Sequence, residues 1–580
     1  RPASSIQHPA LMRRIFILLI ASALAVVAIW YGVRISENAS NVAVSALLPR
    51  ETIFAAHVPD FNRTRDQWHH SDIYQLYQEP EVQDFLRQPL TKLPKRDATA
   101  QTLHEIEQLD PKDAFVALTS IDNNNPRFAG GFRFRGSQDA AEAIVGKWRA
   151  KLLEKNPTAK REKLAYQQHQ IETITAAAFT LATAYDGHWF FASNDVTELK
   201  ALLDRTDRHS KDRQGTLDGG ESYRAAAAHM PSSYAAFFYL QPKAFADKLA
   251  SLRAAIGQRV TPNQQTMVEK VRGICGTTRF ENGKIRDVIF VGIPKLEQDA
   301  TLNRSSVTLA TKETFFYLAM LLNLGQKIDT INQTAGIGGR VQQLFQTLSA
   351  NGITADDWKA AFGLELGSFA DWPANTRWPR LILALPVKDA AKASQVVEAL
   401  IKVDEDATWT RTEKDGVRYF SMQSPASFIA ITPSFALSNR VLVAGLDEVS
   451  VEAAMKRNGS STADLSSSQV YKAAARSVPA PTNFFAYVDT ALLYSRLDAT
   501  LRPMLLMSAA FMPAINDYVN VNKLPAPEII TKHLSPIVSS QRYERDGYMA
   551  ESVGPVTLNQ AAIGLGLPAA FWAIGRQRGR

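Results

Sequence analysis

The stretch YRAAAAHMPSSYAAFFYL, residues Tyr223–Leu240, recurs in altered form as YKAAARSVPAPTNFFAYV, residues Tyr471–Val488. At a constant shift of 248 positions the two stretches share two tyrosines, a proline and a phenylalanine, besides several alanines. The four matches other than alanine are Tyr223/Tyr471, Tyr239/Tyr487, Pro231/Pro479 and Phe237/Phe485. Each copy predicts an alanine-rich helix that ends near the proline and is followed by an aromatic strand. A repeat of this kind predicts two copies of one module.

Further matches lie on both sides of this stretch and keep the same order along the chain. Residues 51–54, ETIF, match residues 313–316, ETFF, and residues 279–281, RFE, match residues 542–544, RYE. The shift varies between about 248 and 264 positions, as insertions in surface loops would make it. The alternative is a pair of unrelated α+β domains that share a common rhythm of strands and helices.

The alternation of strands and helices predicts an α+β fold, in which two tandem modules each carry a mostly antiparallel sheet flanked by helices. Strand pairs meet at turn signals such as Asp186-Gly187. We assign residues 48–294 to module 1, residues 295–308 to a linker and residues 309–555 to module 2. A chain of 580 residues is long enough for this division.

The amino-terminal segment predicts a membrane anchor. Residues 15–33, IFILLIASALAVVAIWYGV, carry no charge and are long enough to cross a bilayer core of about 30 Å. Two arginines precede them, so we expect residues 1–14 in the cytoplasm and a stem at residues 34–47 beyond the membrane. The alternative is a cleavable signal peptide, because Ala21-Ser22-Ala23 has the small-x-small form. Both interpretations place the bulk of the chain outside the cytoplasm, in the periplasm at the inner membrane of a bacterium.

The carboxyl-terminal segment, residues 556–580, has no counterpart at the end of module 1. Residues 561–575 are apolar, and three arginines follow them. The pattern is compatible with a second membrane span, with a segment lying on anionic lipid, or with packing on module 2. We therefore expect membrane contact through residues 15–33 and keep a second contact through residues 561–575 as one of three alternatives.

Charge and cysteine content limit the classes of partner. The formal net charge of +8 is spread along the chain, and its densest cluster is Lys151–Lys163. Outside the cytoplasm, anionic lipid or a polyanionic wall polymer is the expected counterpart of such a cluster. Basic residues are not interleaved with stacking aromatics, so we expect no nucleic-acid partner. Cys275 is the only cysteine, which excludes an intrachain disulfide and favours a small buried hydrophobic residue.

Histidines offer the first candidate site. His69-His70-Ser71-Asp72 places imidazoles beside a carboxylate. Adjacent residues on a helix point about 100° apart, and no second ligand pair has metal-site spacing, so we expect no metal here. His57 has no counterpart in module 2, and we expect it to be an exposed or capping residue.

Glycine and carboxylate motifs give no stronger candidate. Gly336-Ile337-Gly338-Gly339 lacks the Lys-Ser/Thr of a phosphate-binding loop and is interpreted as a hinge. The acidic clusters Asp356-Asp357 and Asp404-Glu405-Asp406 are expected in solvated loops, and no GxSxG motif occurs. The sequence therefore predicts no catalytic, cofactor-binding or metal-binding residue and no cofactor.

One resemblance adds to this interpretation. Leu48, Pro49, Thr52, Pro59 and Asp60 lie in LLPRETIFAAHVPDFNRTRDQW, residues 47–68, after the predicted span. This segment resembles the opening of uncharacterised bacterial envelope proteins with the domain of unknown function 3352. In those proteins a leucine-proline-x-x-threonine strand begins a duplicated α+β module. Module 2 keeps the threonine but has another residue in place of the proline. The resemblance implies an extracytoplasmic location and no known activity.

We predict a non-enzymatic, membrane-anchored extracytoplasmic protein that binds or scaffolds a protein or lipid partner of the bacterial envelope. The expected binding surface lies between the two modules, because two packed copies create a cleft. Two alternatives stay open. One is a carrier of lipid or another apolar ligand, and the other is a hydrolase with an unrecognised site.

Overall fold

The computed structural model describes eleven segments of the chain: residues 43–91, 97–122, 125–207, 213–244, 269–295, 300–322, 339–402, 407–423, 431–458, 464–512 and 520–560. The predicted anchor (15–33), the apolar tail (561–575), most of the glycine motif and the acidic cluster at 404–406 lie outside the described residues. None of the helices in the described segments has both the length and the hydropathy that a membrane span requires.

The described residues form two compact units. The first unit comprises the described residues up to Gln75 and from Thr91 to Ile293. The second unit comprises Leu76–Leu90 and the described residues from Pro294 onward. The sequence placed residues 76–90 inside module 1 (48–294), whereas the structure groups them with the second unit.

The first unit is built on an antiparallel sheet. Its strands are β1 (Phe54–Asp60), β2 (Lys112–Asp122), β3 (Asn125–Arg133), β4 (Lys160–Tyr166), β5 (His169–Ala176), β6 (Phe179–Asp186), β7 (Trp189–Ser193), β8 (Ala236–Leu240), β9 (Ile274–Glu281) and β10 (Lys284–Val291). They pair in the order β10-β9-β8-β1-β2-β3-β7-β6-β5-β4. Strand β1, the first of the described strands, therefore lies near the middle of the sheet.

The second unit is also built on an antiparallel sheet. Its strands are β11 (Thr314–Leu321), β12 (Glu365–Asp371), β13 (Arg380–Pro386), β14 (Trp409–Lys414), β15 (Val417–Met422), β16 (Ser434–Leu437), β17 (Val441–Gly445), β18 (Phe484–Val488), β19 (Ile537–Glu544) and β20 (Gly547–Gly554). They pair in the order β20-β19-β18-β11-β12-β13-β17-β16-β15-β14. The predicted α+β class with mostly antiparallel sheet is confirmed.

Helices connect these strands. Those from the amino-terminal half are α1 (Val44–Leu47), α2 (Phe61–His69), α3 (Asp72–Gln78), α4 (Pro80–Thr91), α5 (Asp97–Leu109), α6 (Gln138–Glu154), α7 (Val196–Asp207) and α8 (Glu221–Ala227). Those from the carboxyl-terminal half are α9 (Gly339–Ala350), α10 (Ala355–Ala361), α11 (Ala390–Leu400), α12 (Glu448–Arg457), α13 (Gln469–Arg476), α14 (Thr490–Phe511) and α15 (Pro527–Thr531). Short 3-10 turns occur at Arg213–Gly215, Leu217–Gly219, Ser305–Leu309, Leu465–Ser467 and Val521–Lys523.

Local sequence signals explain where several helices begin. Asp60, Asp389 and Asp447 each accept a backbone N–H of the following turn, which satisfies donors that the helix itself leaves unpaired. Asp195 does the same at the start of α7, accepting from Thr197 and Glu198 at 2.8 and 3.0 Å. Asp195 therefore caps this helix.

The repeated stretch lies in the core of each unit. Tyr239 on β8 and Tyr487 on β18 are each 1% exposed. The ring of Tyr223 on α8 meets that of Tyr239 edge-on at 5.2 Å, and Tyr471 on α13 meets Tyr487 edge-on at 5.1 Å. Such aromatic pairs stabilise a core beyond the area they bury. The predicted order of helix and strand is confirmed in both stretches.

The chain enters the first strand of each sheet through the same backbone contacts. Leu217 donates its N–H to the Leu48 carbonyl at 2.9 Å, and Leu465 donates to the Ala310 carbonyl at 3.2 Å. Isolated bridges join Pro49 to Thr216 and Thr311 to Asp464 beside these bonds. In both units a 3-10 turn therefore clamps the residues that precede the first strand.

The predicted stem and linker are packed where they are described. Val44 and Leu47, from the predicted stem 34–47, are buried because apolar side chains leave water. Leu302 and Ser306, from the predicted linker 295–308, are 5% exposed. The buried Glu365 carboxylate accepts the N–H groups of Asn303, Arg304 and Ser305. Residues 302–308 therefore pack into the second unit.

Candidate functional site

The first unit has an open cavity of about 340 Å³ at the carboxyl end of β8 and the start of α8. Its lining consists of Arg50, Glu51, Gly220, Glu221, Ser222, Tyr223, Tyr239, Gln241 and Ala244. One cation and two carboxylates face this space. We call it the first cavity.

The second unit has an open cavity of about 540 Å³ at the carboxyl end of β18, where α13 and α14 begin. Its lining consists of Val470, Asp489, Ala491, Leu492, Ser495, Glu528, Thr531, Lys532, Leu534 and Pro536. Its wall combines aliphatic side chains with two carboxylates and one cation. We call it the second cavity.

The two cavities occupy corresponding places in their units. At the shift of 248 positions that aligns the repeated stretch, three lining residues of one cavity match three of the other. The matched pairs are Ser222/Val470, Gln241/Asp489 and Ala244/Leu492. The residue types differ at each pair, so a binding site at both places would differ in chemistry.

The first cavity is polar. Arg50, Glu51 and Glu221 line this cavity and form no ion pair with one another. Burial raises the pKa of Tyr223, which keeps its hydroxyl protonated and able to donate a hydrogen bond. The cavity thus offers charged and hydrogen-bonding groups but no pair of nucleophile and base.

The polar groups of the second cavity are largely engaged in the fold. Asp489 begins α14 and accepts the Leu492 N–H at 2.9 Å, while the Tyr487 hydroxyl lies 3.3 Å from its other oxygen. Lys532 lies 2.9 Å from the Glu79 carboxylate. A ligand of the second cavity would therefore contact mainly its aliphatic side chains.

The adjacent histidines do not converge on a site. The His69 ring packs on Tyr74 at 4.4 Å, and His70 donates from Nδ1 to the Asp66 carbonyl at 2.6 Å. Burial lowers the pKa of His69. Across the segments that the structure describes, three or more His, Cys, Asp or Glu side chains nowhere come together as metal ligands would.

His57 is neither exposed nor a capping residue, so that prediction is wrong. Its Nδ1 lies 3.2 Å from the Tyr234 hydroxyl and its Nε2 lies 3.4 Å from Asp113. Arg133 donates to the other Asp113 oxygen at 2.5 Å. Burial raises the pKa of Tyr234 to about 12, so this hydroxyl stays protonated and serves as a hydrogen-bonding group. The sequence could not reveal this set of hydrogen-bonded side chains, because its members come from distant parts of the chain.

Two other candidates have structural roles. Cys275 is buried, as predicted, and its thiol donates to the Ala226 carbonyl at 3.1 Å. Burial raises the pKa of Cys275 to about 12, which suppresses the nucleophilic thiolate. Asp356 and Asp357 lie in the first turn of α10 and not in a loop, because Asp357 and Thr354 form a capping box.

The basic cluster Lys151–Lys163 is partly neutralised within the first unit. Lys151 lies 3.7 Å from Glu105, and Arg161 donates to Glu172 at 2.7 Å. In each pair the carboxylate is buried and the basic side chain is about half exposed, so the pairs reduce the charge that a partner would meet. The cluster therefore presents less positive charge than the sequence suggests.

The chain matches no protein-family model and no curated protein. Among solved structures it is similar to crystal forms III and IV of TP0453, with 6% and 7% identity and TM-scores of 0.25 and 0.24. The two similarities cover 45% and 43% of this chain and 84% and 79% of the TP0453 chains. The fold class consequently rests on the strands and helices described above.

Proposed function

We propose that this chain is a non-enzymatic, membrane-anchored extracytoplasmic protein of the bacterial envelope that binds or scaffolds a protein or lipid partner. The single observation that carries the proposal is the pair of open cavities at corresponding places in the two units. Ligand sites are typically concave and combine apolar walls with a few polar groups.

The proposal includes a duplication, in which the second unit is a copy of the first. It is supported by the identical order of strand pairing in the two sheets. The edge-on tyrosine pairs and the clamp on the first strand also recur in both units. A duplication of this kind would produce cavities at corresponding places in the two units.

The location in the envelope is part of the proposal. Residues 15–33 support an anchor, and the resemblance of Leu48, Pro49 and Thr52 to envelope proteins with the domain of unknown function 3352 supports an extracytoplasmic place. The apolar residues 561–575 support a second contact with the membrane. A protease added outside spheroplasts should then degrade the bulk of the chain, and carbonate washing should leave it in the membrane. Complete resistance to the protease would contradict this location.

The binding role is supported by the way the reactive groups are held. Cys275 is a protonated thiol facing a carbonyl, and the Tyr234 hydroxyl is protonated beside His57. The Ala226 carbonyl cannot activate the Cys275 thiol, and burial keeps the Tyr234 hydroxyl protonated although the His57 ring lies within hydrogen-bond distance. Both cavities nevertheless remain open to solvent. Turnover of esterase, phosphatase or peptidase substrates by the full chain, lost on a single substitution, would overturn the proposal.

Site-specific photo-crosslinking in intact cells tests the cavities. We expect a benzoylphenylalanine at Ser222 or at Val470 to give a discrete adduct, and a matched probe at Thr412, exposed on the edge strand β14, to give none. Replacing Gln241 or Leu492 with arginine beside the respective probe should remove the adduct. Equal adduct patterns at all three positions would contradict binding through the cavities. Lipid found attached at Val470 would favour the carrier function.

A further inference from the structure

Helix α14 ends in a strongly exposed apolar surface. Phe511 is 81% exposed, Met512 61% and Met507 58%. We define the apolar helix end as six exposed side chains: Leu501, Leu505, Leu506, Met507, Phe511 and Met512. No charged residue occurs between Arg502 and Met512.

This exposure costs free energy in water. Burying a single large apolar side chain contributes about 1.5–3 kcal/mol, and contiguous exposed apolar patches mark interaction sites. The charged residues of α14 all precede Leu505. Asp498 and Arg502 pair with each other at 2.7 Å, and Arg496 lies 3.4 Å from Glu313. Beyond Arg502 the helix therefore carries no charge, and five of the six exposed apolar side chains lie there.

A cation and an indole border the apolar helix end. The Arg377 guanidinium lies 3.4 Å from the Met504 sulfur and 5.5 Å from the centre of the Trp378 ring. The Thr500 hydroxyl donates to the Arg377 carbonyl at 3.3 Å, which holds this loop against the helix. Trp378 is 50% exposed, and Arg377 forms no ion pair with a described residue. The border thus offers an exposed positive charge and an amphipathic ring.

We propose that the apolar helix end docks into the interface of an anionic phospholipid bilayer, with Trp378 and Arg377 at the level of the headgroups. Indole rings and basic side chains favour that level, and apolar side chains favour the acyl chains below it. The positive charge of Arg377 complements the negative surface of such a membrane. The inference does not depend on the cavities, although the proposed anchor would hold the helix close to the bilayer.

The length of the helix indicates docking and not spanning. The ten residues that follow Arg502 extend about 15 Å at 1.5 Å per residue. A bilayer core is about 30 Å thick. The segment is therefore too short to span the core and can contact one leaflet only.

Fluorescence quenching in vesicles tests the inference on the full chain. Met507→Cys can be labelled with an environment-sensitive dye, because the native Cys275 is buried and unreactive. Thr412→Cys on exposed β14 is the matched control. In vesicles of phosphatidylglycerol and phosphatidylcholine, we expect a blue shift at position 507 and quenching by lipids brominated on the acyl chains. At position 412 we expect neither.

Two substitutions sharpen the test. Phe511→Glu in the labelled chain should abolish quenching at position 507, since a charge enters the proposed apolar contact. Arg377→Gln should leave quenching in place but weaken the preference for phosphatidylglycerol about fivefold, the equivalent of roughly 1 kcal/mol per basic residue. Quenching that is the same with and without phosphatidylglycerol would overturn the anionic part of the proposal.

Other occupants give different results. A blue shift without lipid would show that another part of the same chain covers the surface. A shift that grows with protein concentration, with a disulfide between two Met507→Cys chains, would show a second copy. Either result overturns membrane docking. If carbonate released the protein from membranes but quenching at position 507 was retained, only the proposed anchor would be contradicted. The anchor and the docking of the apolar helix end can therefore fail separately.

Discussion

Arg205 donates its Nε hydrogen to the carbonyl oxygen of Leu47 at 2.6 Å, and thereby joins the end of α7 to the residues that precede β1. The second unit contains the same relationship, because Arg457 at the end of α12 donates to the Leu309 carbonyl at 2.6 Å. The carboxylate partners differ. Arg205 pairs with Glu198 at 3.0 Å, whereas Arg457 pairs with Asp371 at 3.2 Å. Each arginine ties the entry of the first strand to the helix that covers the sheet.

Arg205→Met should destabilise the first unit by about 2–4 kcal/mol, because it leaves a buried carbonyl and the partly buried Glu198 without their donor. Arg457→Met should do the same in the second unit. Hydrogen exchange of residues 49–57 or 311–319 measures each effect locally. Arg411→Met is the control, since Arg411 is an exposed surface arginine and its loss should cost less than about 1 kcal/mol. Equal effects of the Arg205 and Arg411 substitutions would contradict this role.

Glu365→Ala should release the segment that precedes β11. The Glu365 carboxylate accepts the N–H groups of Asn303, Arg304 and Ser305, and its loss leaves these donors without an acceptor. We expect a loss of about 2–4 kcal/mol and faster amide exchange at residues 303–309. Glu365→Gln should cost less, because one carbonyl oxygen remains. Asp356→Ala, on an exposed helix turn, should be close to neutral, and equal effects of both alanine variants would argue against the cap.

Cys275 should resist thiol reagents in the folded chain. Burial raises the pKa of Cys275 to about 12, so the thiolate is scarce near pH 8, and burial blocks access as well. Labelling with iodoacetamide near pH 8 should therefore require unfolding. Labelling of the folded chain as fast as a free thiol would contradict the buried site.

The raised pKa of Cys275 also predicts a dependence of stability on pH. Since folding favours the neutral thiol, its contribution is present below about pH 9 and is lost as the pH rises through about 12. Urea unfolding measured from pH 8 to pH 11 should show a smaller decline in the free energy of unfolding for Cys275→Ala. If the free energy of unfolding of Cys275→Ala declined as much as that of the native chain, the pH dependence would come from the buried tyrosines instead.

Acid should loosen residues 76–90 from the rest of the second unit. Hydrogen bonds from Lys532 and His533, at 2.9 and 2.6 Å, hold the pKa of Glu79 below its usual range. The stabilisation is therefore present above the ordinary value of 4.5 and is lost as the pH falls through the lower folded value. Exchange of α4, corrected for intrinsic rates, should rise at low pH. Glu79→Gln should show this rise already near neutral pH, whereas Glu81→Gln, an exposed control, should not.

Local patterns predicted a substantial part of the fold. The stretch from Tyr223 gave α8 and β8, and the stretch from Tyr471 gave α13 and β18, because proline and aromatic residues act within a few positions. The Asp195 cap depends on the same kind of short-range signal. The buried state of Cys275 followed from its apolar neighbours.

The candidate site was far less accessible to prediction. Arg50, Gly220 and Gln241 line one cavity but come from separate segments of the chain, and none belongs to a motif. The hydrogen bonds of His57 join it to Asp113, which is 56 positions away along the chain, and to Tyr234, which is 177 positions away. Tyr223 and Tyr239 line the first cavity, and they were singled out in the sequence because they recur in the second stretch.

The sequence by itself determined the antiparallel α+β class and the strand and helix that follow each repeated tyrosine. These depend on hydrophobic periodicity, turn residues and caps, which are properties of neighbours along the chain. The tertiary structure alone decided that residues 76–90 pack in the second unit, that Glu365 holds the segment before β11 and that the apolar helix end stays uncovered. Those outcomes depend on charges and apolar surfaces that meet only after the chain has folded, so no local pattern records them.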